Sequence, residues 1–538
     1  MDSKIIAYHY DLKHGLWNRA SLESMVDKLA AWGYNTLVLE IEDNLQFKAA
    51  PHVAAKHAMT HGEMADFAQY CRDRKLDLIP LVQSLGHAEY VVGKPQYAHL
   101  RESEHIHNQY DPFSVEARRL IMALFDEAIE ATQTRTWFHI GGDETWSLGS
   151  SEQAKAYIAK HGMGALYWQH ILPLCEHIHQ RGLRPMIWAD MFLTYPELIK
   201  EVPDYVLLVD WDYWTTSDKP EEIMIWGGYR TGHRNATANA SQYPEVLRKP
   251  EFKKYLHPYT QDENKQFKSF YCTDALQGHG VKDVIVAPAN SCFGDLPGSP
   301  RNHVHIPNCW YAARKGLAAA SGMMVTSWSV RHVHHELRQL GTFAAAQAIH
   351  QSEYDFDAIC RAYSQWMHGV ELADYPRAAL LAGQGLDITQ AASFVSGRSS
   401  LLKGDDEYNR KLEELIVTHG GRKKLLAYCQ SLRDGYVEAK DLFTQMLTKA
   451  EQNVYLFDFW FEGLDLSLLH LDFVVAMIRG TLINERDTFI NRIAELKPRT
   501  QALFAPTAHP CGLAENLQVR YGFHEMYLEK IGVSQAAN

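Results

Sequence analysis

Two adjacent carboxylates, Asp143 and Glu144, follow an apolar run and a pair of glycines in the stretch WFHIGGDETWSLG. They stand where a predicted strand ends, so side chains need no longer alternate between two faces and both can reach one ligand. Gly141 and Gly142 permit a tight backbone path beside that ligand. Carboxylates placed in this way predict general acid and base chemistry.

Polar and aromatic side chains also stand at the ends of the other apolar runs. They are Asp11 with Lys13, Glu42 with Asp43, His87 with Glu89, Trp188 with Asp190, Trp211 with Asp212 and Tyr213, and Trp328. Aromatic rings pack on the apolar faces of sugars, while carboxylates bind hydroxyls or transfer protons. A single tryptophan of this kind would indicate core packing, but its recurrence at strand ends favours a carbohydrate site.

The adjacency of the two carboxylates constrains the reaction. An ordinary retaining glycosidase holds two carboxyl groups about 5 to 5.5 Å apart on opposite sides of the scissile bond. Neighbours in sequence do not suit that arrangement. The pair instead favours Glu144 as the proton donor to the leaving oxygen and Asp143 as the group that orients a 2-acetamido substituent, whose carbonyl oxygen acts as the nucleophile.

Eight short β-rich runs must position these residues. Longer segments of helical period lie between most of them. The runs are KIIAYHY, NTLVLEIE, LDLIPLVQ, TWFHIG, PMIWAD, YVLLVD, DVIVAP and GMMVTSW. Runs nearly continuous in Val, Ile and Leu are typical of strands buried on both faces of a parallel sheet. Eight β/α units predict an α/β fold, the (β/α)8 TIM barrel, with its active site at the carboxyl ends of the strands; an open doubly wound sheet is the alternative.

The predicted barrel occupies residues 1–348, and an all-helical region follows at residues 349–538. An insertion at about residues 214–265 is too long for a plain barrel unit, and it predicts either a pocket wall or a surface elaboration. Aromatic residues at 455–461 predict core packing in the helical region. A subunit interface, which would make the protein a homodimer, is the alternative.

Composition narrows the class of partner. The formal net charge of -12 over 538 residues disfavours nucleic acid and anionic membranes, which normally bind basic surfaces. No apolar segment reaches the roughly 20 residues of a membrane helix. Eight cysteines without a CxxC pair, and an amino terminus without a signal-peptide pattern, predict a cytoplasmic protein.

The motif HIGGDE at residues 139–144 resembles the signature of the β-N-acetylhexosaminidases of glycoside hydrolase family 20. Further stretches that resemble the family are DLK at Asp11, LEIED at Leu39, IPLVQSLGH at Ile79, YAHLRE at Tyr97, WADM at Trp188 and WDY at Trp211. The resemblance is to the short hexosaminidase D type, which begins directly with the barrel, and it extends to about residue 345.

That resemblance implies a retaining exo-β-N-acetylhexosaminidase that removes terminal non-reducing β-linked GlcNAc or GalNAc through an oxazolinium intermediate, without a metal or cofactor. It implies that Asp143 orients the acetamido group and that Glu144 is the general acid and base. It also implies that His87 hydrogen-bonds Glu144 and is itself held by Asp43. The acetamido pocket would be formed by Trp188, Trp211 and Trp328, with Tyr213 supplying a hydroxyl to the acetamido oxygen.

Two features depart from the family pattern. Most members carry an arginine after the first strand, where this chain has Lys13 and His14, and the acidic residue expected after the last-strand Trp328 is absent from SVR at residues 329–331. The choice between GlcNAc and GalNAc is therefore left open. The candidate ligands for the remote hydroxyls are Glu42, Asp190, Asp212 and Asp295.

Three alternatives remain at this point. The letters GGDE also begin the signature of diguanylate cyclases, but there a Phe follows on a β-hairpin, whereas Thr145 and Trp146 follow here. A non-catalytic sugar-binding protein on the same barrel is the second. The third is a metal site in RHVHHELR at residues 331–338, which is not an HExxH motif and whose histidines are interpreted as solvated or supporting residues.

Overall fold

The computed structural model describes residues 4–13, 17–228, 235–292, 295, 298–328, 333–385 and 405–536. The described strands are β1 (Ile5–Asp11), β2 (Thr36–Glu40), β3 (Asp77–Leu81), β4 (Trp137–His139), β5 (Arg184–Trp188), β6 (Leu207–Trp211), β7 (Glu222–Trp226), β8 (Asn235–Asn239), β9 (Asp283–Ala287), β10 (Ala289–Ser291) and β11 (Gly322–Ser327). Eight of them form a closed parallel barrel in the order β1-β2-β3-β4-β5-β6-β9-β11, because β11 pairs back with β1. The predicted TIM barrel is confirmed.

Each of the eight predicted β runs contains one barrel strand. Strands β2 and β6 are buried at every residue, as expected for a sheet covered on both faces. Their apolar side chains fill the barrel and contact the surrounding helices, which places the polar residues that end each run at one rim.

The described helices surround the barrel and then continue beyond it. They are α1 (Arg19–Ala31), α2 (His61–Asp73), α3 (Glu89–Val92), α4 (Val115–Thr132), α5 (Glu152–His161), α6 (Met163–Gln180), α7 (Asp190–Thr194), α8 (Tyr243–Val246), α9 (Tyr271–Gly278), α10 (Asn302–Ala319), α11 (Gln339–Gln347), α12 (Phe356–His368), α13 (Tyr375–Ala382), α14 (Asp405–Thr418), α15 (Arg422–Leu447), α16 (Leu456–Arg479), α17 (Arg486–Phe504) and α18 (Pro510–Ala536). Local signals fix several helix ends; Thr60 and Glu63, for example, form a capping box at the start of α2.

The long segment between β6 and α9 carries its own structure. Strands β7 and β8 pair antiparallel as a separate two-stranded sheet, and α8 and two short helical turns follow them. The ring of Trp226, at the end of β7, lies edge-on to Trp211 of the barrel with 4.4 Å between centroids. The segment therefore packs against the rim that carries the polar strand ends.

The helical region joins the barrel through one continuous apolar core. Phe457, Phe459 and Trp460 are buried in it, whereas Tyr455 is 52% exposed. His334, from the segment that follows β11, stacks on Phe459 with 3.8 Å between ring centroids. The helical region after the barrel is confirmed, while the boundary at residues 348 and 349 stays a prediction. Within the described residues, no helix has the length and apolar character needed to cross a membrane.

Candidate active site

The loops at the carboxyl ends of three neighbouring strands hold unusual backbone conformations. Glu42, His87 and Glu144 follow β2, β3 and β4 and have φ angles of 45°, 50° and 45°. A non-glycine residue in this left-handed region costs of order 1–3 kcal/mol, and such residues cluster at functional sites. The surrounding packing therefore fixes these three side chains at the rim at an energetic cost.

His87 lies between the two adjacent carboxylates. Its Nε2 is 3.4 Å from Asp143 Oδ2 and 3.3 Å from Glu144 Oε2. Burial lowers the pKa of His87, but the charge of Asp143 and the hydrogen bond with Glu144 outweigh burial and raise the pKa to about 10. His87 is therefore a cation at neutral pH, shared by both carboxylates.

Asp143 and Glu144 have different surroundings although they are neighbours in sequence. Asp143 is 5% exposed, and its Oδ1 has no hydrogen-bond partner among the described residues. Burial raises the pKa of Asp143 to about 6; the nearby Glu40 and Glu144 add to this effect and His87 opposes it. The Glu144 side chain is 39% exposed and faces the opening. The site thus offers one buried acceptor and one accessible carboxyl group.

Side chains from other elements hold the backbone of this motif. The Glu144 amide donates to Asp190 Oδ2 at 2.9 Å, and the Tyr167 hydroxyl of α6 donates to the Gly142 carbonyl at 2.9 Å. Gln83 accepts from the Gly142 amide at 3.3 Å and donates to Glu40 at 3.0 Å. Gln83 and Tyr167 were not predicted as site residues, because nothing near them in sequence indicates a contact with residue 142.

The predicted aromatic residues come together beside Asp143. Trp188 and Trp328 have ring centroids 5.7 Å apart, and His9 lies against both. Trp211 stacks on Tyr213 at 4.9 Å. The Trp328 indole N–H donates to the Tyr213 hydroxyl at 2.9 Å. An aromatic cluster with one hydroxyl therefore lies near the buried carboxylate, whose charge acts on Tyr213. His9 was not predicted as part of this cluster.

One predicted contact of His87 is wrong. Asp43 forms no ion pair with His87 within the part of the chain that the structure describes; instead Asp43 Oδ1 accepts from Asn44 Nδ2 at 3.0 Å. Glu42, directly before Asp43, takes the left-handed conformation just after β2. Asp143 and Glu144 hold the imidazole directly.

The four candidate ligands for remote hydroxyls differ in the hydrogen bonds and ion pairs that they already form within the protein. Glu42 Oε1 binds Lys13 Nζ at 3.0 Å at the rim. Asp212 accepts three hydrogen bonds within its own turn, from Trp214 and Thr215. Asp295 pairs with Arg301 and His305, and Asp190 holds the Glu144 amide. Lys13, which is 21% exposed, is therefore the member of this ion pair that can meet a ligand, because Glu42 is only 3% exposed.

Lys13 stands in the region where an arginine was expected. Burial lowers the pKa of Lys13, but Glu42, Asp11 and Glu89 outweigh burial and raise it well above the ordinary value. The side chain is therefore a permanent cation, 21% exposed. The other residues named for the two departures, His14 and residues 329–331, lie outside the described residues.

The histidines that follow β11 pack in the interior of the protein. His334 and His335 are buried rather than solvated, their rings lie against Trp17, and His334 Nε2 hydrogen-bonds Thr507 at 3.1 Å. Glu336 forms an ion pair with Lys28. His332 lies outside the described residues.

Two other clusters have metal-ligand geometry in the described chain, one of Cys292, Asp295 and His305 and one of Asp11, Glu40 and Glu42. Each cluster already has a cationic partner, because Arg301 pairs with Asp295 in the first and Lys13 pairs with Glu42 in the second.

Among solved structures, the chain is similar to the chitobiase of Flavobacterium johnsoniae, with a TM-score of 0.47 and 14% identity over 91% of this chain and 74% of that chain. It is also similar to the β-N-acetylhexosaminidase of Bacteroides fragilis, with a TM-score of 0.46 and 13% identity over 67% of this chain and 69% of that chain.

Two curated relatives are the proteins named Hexosaminidase D of Bos taurus and of Homo sapiens. The chain is 29% identical to the bovine protein over 230 residues, which cover 41% of this chain and 66% of that protein. It is 28% identical to the human protein over 230 residues, 41% of this chain and 47% of that protein. The match thus spans less than two thirds of each relative. The sequence model of the glycosyl hydrolase family 20 catalytic domain matches residues 7–287, which is more than half of the 538 residues.

Proposed function

The chain belongs to glycosyl hydrolase family 20, and we propose that it is a retaining exo-β-N-acetylhexosaminidase. The substrate is an oligosaccharide with a terminal non-reducing β-linked GlcNAc or GalNAc. One observation carries the proposal: the buried Asp143 has an Oδ1 without a hydrogen-bond partner among the described residues, lies close enough to Tyr213 for its charge to act on that hydroxyl, and comes one residue before the accessible carboxyl of Glu144. A buried carboxylate oxygen calls for a hydrogen-bond donor, and the N–H of a 2-acetamido group is one.

The first step breaks the glycosidic bond. Glu144 gives its proton to the leaving oxygen while the acetamido carbonyl oxygen attacks C1, which forms a cyclic oxazolinium ion. Asp143 accepts the acetamido N–H and stabilises the positive charge of the ring. His87, as a cation 3.3 Å from Glu144, stabilises the carboxylate that Glu144 becomes.

Tyr213 orients the nucleophilic oxygen. An indole N–H can only donate, so the Tyr213 hydroxyl is the acceptor in its bond with Trp328. Its own proton can go to the neighbouring Thr326 side chain or, in this proposal, to the acetamido oxygen of the bound sugar. Trp188 and Trp328 enclose the methyl group of the acetamido substituent. In the second step Glu144 takes a proton from water, the water oxygen attacks C1, and the configuration at C1 is retained.

Lys13 and Glu42 bind the remote sugar hydroxyls in this proposal. Their 3.0 Å ion pair offers a donor and an acceptor at the rim, the roles that a guanidinium and a carboxylate would otherwise supply. GlcNAc and GalNAc differ in the orientation of the hydroxyl at C4, so this pair contributes to the choice between them.

The proposal also includes the cellular location of the protein and its partners. All eight cysteines lie among the described residues, where none of them forms a disulfide, and seven of them are buried, which supports a reducing, cytoplasmic location. The net charge of -12 supports a partner other than nucleic acid or an anionic membrane. A homodimer stays a prediction.

Assays with aryl β-GlcNAc, β-GalNAc and β-glucoside test the function. The wild type should cleave at least one acetamido sugar and leave the glucoside intact, and both Glu144→Gln and Asp143→Asn should lose most of that activity. Equal cleavage of the glucoside would overturn the substrate-assisted mechanism. Binding of acetamido sugars without cleavage would favour the alternative, a non-catalytic sugar-binding protein. A nucleotide cyclase is disfavoured because Asp143 and Glu144 follow a parallel barrel strand and no hairpin.

A further inference from the structure

A pocket of about 1070 Å³ lies at the amino-terminal end of the barrel, opposite the rim that carries the catalytic residues. Its wall includes residues at, or directly before, the first positions of seven of the eight barrel strands, β6 excepted. The proposed reaction takes place at the carboxyl ends of the strands and makes no use of these residues. The volume is sufficient for a small molecule, since such sites begin at about 300 Å³.

The wall of this pocket is basic although the chain as a whole is acidic. Five cations and two carboxylates line it, whereas the 538 residues carry a formal net charge of -12. The cations are Lys4, Arg72, Lys75, Arg135 and Arg184, and the carboxylates are Asp77 and Asp283. A concave wall with an excess of one charge concentrates ligands of the opposite charge. We call it the basic pocket, and its charge favours an anion.

Three of the five cations already have partners within the protein. Lys4 donates to a backbone carbonyl, and Arg184 forms an ion pair with Asp283. Arg72 Nη2 donates to Gln133 Oε1 at 3.1 Å, which joins the end of α2 to the end of α4. These three side chains therefore connect the elements around the basic pocket.

Lys75 and Arg135 are available to a ligand. Both side chains are exposed, and neither forms a hydrogen bond or an ion pair with another residue of the described chain. Lys75 follows Arg72 by three residues and Arg135 follows Gln133 by two. The bond between Arg72 and Gln133 therefore brings together the segments that carry the two cations. Two neighbouring cations match a phosphate monoester, which carries a charge of about -1.5 to -2 at pH 7.

The backbone at Lys75 supports a role for its side chain. Lys75 has a φ of 63° and directly follows Arg74, the C-cap of α2. The Leu76 amide donates to the Cys71 carbonyl at 3.0 Å, which forms a Schellman motif, and this motif usually has glycine at the position of Lys75. A lysine is less stable there than a glycine, so the chain carries this cation at an energetic cost.

We propose that the basic pocket binds a small phosphorylated molecule, with its phosphate on Lys75 and Arg135. The Arg135 guanidinium can bind two phosphate oxygens at once, and the Lys75 ammonium supplies a second positive charge. The half-buried ring of Trp137 adds apolar surface to the wall for the rest of the ligand. This inference goes beyond the proposed function, because the basic pocket and the catalytic residues lie at opposite ends of the barrel.

Isothermal titration calorimetry on the full chain tests this site with glucose 6-phosphate, inorganic phosphate and glucose at a fixed ionic strength. We expect glucose 6-phosphate to bind at least as tightly as inorganic phosphate, and glucose without a phosphate not to bind. Lys75→Gly and Arg135→Ala should each weaken the binding of both phosphates by at least about tenfold, the loss expected for one charge-assisted hydrogen bond. Lys75→Gly should not lower Tm, because glycine adopts the left-handed conformation without strain, so weaker binding would not be a result of unfolding.

Matched controls remove the same kinds of charge elsewhere. Lys265→Gly replaces an exposed lysine that also has a φ of 63°, and Arg119→Ala replaces an exposed arginine near the other end of α4. Both controls should keep the wild-type affinity for glucose 6-phosphate, and all four variants should cleave aryl glycosides as the wild type does. The site would be overturned if glucose 6-phosphate did not bind, if its binding were unchanged in both pocket variants, or if the controls weakened binding equally. None of those results would bear on the proposed function, which the aryl glycoside assays test separately.

Discussion

At the scale of single residues, environment separates two side chains that the sequence makes neighbours. Asp143 is buried, and one of its oxygens has no partner in the part of the chain that the structure describes, whereas the Glu144 side chain is 39% exposed. His87 contacts both and is held as a cation by them. Pairs of acidic groups with different surroundings can divide the work of a reaction. The proposed division gives Asp143 a negative charge above its pKa of about 6 and Glu144 a transferable proton.

The loss of activity at acidic pH should reflect the protonation of Asp143. Because the pKa of Asp143 is raised to about 6, the group is neutral below that pH and cannot stabilise the developing oxazolinium charge. We expect kcat/KM for an aryl β-N-acetylhexosaminide to rise as pH increases through about 6. In Asp143→Asn, this rise of kcat/KM with pH should be absent, and the maximum value of kcat/KM should be lower. A wild-type limb at the ordinary carboxyl value of 3.8 would contradict the assignment.

Tyr213→Phe should lower kcat by about 100- to 1000-fold, the loss typical when one donor to a developing charge is removed. The variant keeps the ring that stacks on Trp211 but loses the hydroxyl that we propose binds the acetamido oxygen. Steady-state kinetics with an aryl substrate would measure it. Tyr205→Phe, at a ring that stacks on His179 on the outside of the barrel, should behave as wild type. Equal activity of Tyr213→Phe and Tyr205→Phe would remove Tyr213 from the mechanism.

At the scale of elements, the loops after β2, β3 and β4 carry the site in strained conformations that neighbouring elements impose. Gly142 bonds to both Gln83 and Tyr167, which lie on different elements. The sequence predicted all eight barrel strands, because continuous apolar runs are a local signal. It could not predict these cross-loop bonds, since they depend on which strand ends become neighbours after the barrel closes.

Gly141→Ala tests how tightly this loop is fitted. Gly141 has a φ of 65°, and a Cβ there would overlap the side chain of Gln83, which is buried and bonded to Glu40. We expect a loss of about 1–3 kcal/mol from overpacking, added to the cost of the left-handed conformation, and a fall in kcat/KM as Glu144 shifts. Urea unfolding and aryl glycoside assays would measure the two effects.

Gly33→Ala is the matched control for that change. Gly33 has a φ of 86°, and apart from its two chain neighbours no described residue has an atom within 4 Å of an added Cβ, so only the conformational cost of about 1–2 kcal/mol applies. Its activity should equal that of the wild type. If the two alanine variants were equally stable and equally active, the fit between Gly141 and Gln83 would not hold the site in place.

At the scale of the whole molecule, the helical region contacts the rim that carries the site. The Thr507 carbonyl accepts from the Asn18 amide at 2.9 Å and from Ser21 at 2.8 Å, at the start of α1. His334 packs between Trp17 and Phe459. The apolar core runs without a break from the barrel into the helices. We infer that the helical region stabilises the barrel loops and that both regions unfold together.

Phe459→Ala should therefore destabilise the entire chain. Phe459 is 3% exposed, and truncating a buried phenylalanine typically costs about 3–5 kcal/mol. Differential scanning calorimetry should show one transition at a lower Tm, whereas Tyr455→Ala, at a 52% exposed ring one turn away, should leave Tm unchanged. Separate barrel and helical transitions, with only the helical one shifted, would show that the two regions fold independently.

The sequence by itself determined the barrel, the helical region after it, the family and the central pair Asp143 and Glu144. These features depend on local patterns, namely buried apolar runs and one contiguous motif, and such patterns can be recognised in a single sequence. Only the tertiary structure decided that both carboxylates, and not Asp43, hold His87, that Gln83 and Tyr167 fix the motif, and that the inserted segment packs against Trp211. Those contacts join residues far apart in the chain, and their distances are set only when the barrel closes and the insertion packs on its rim.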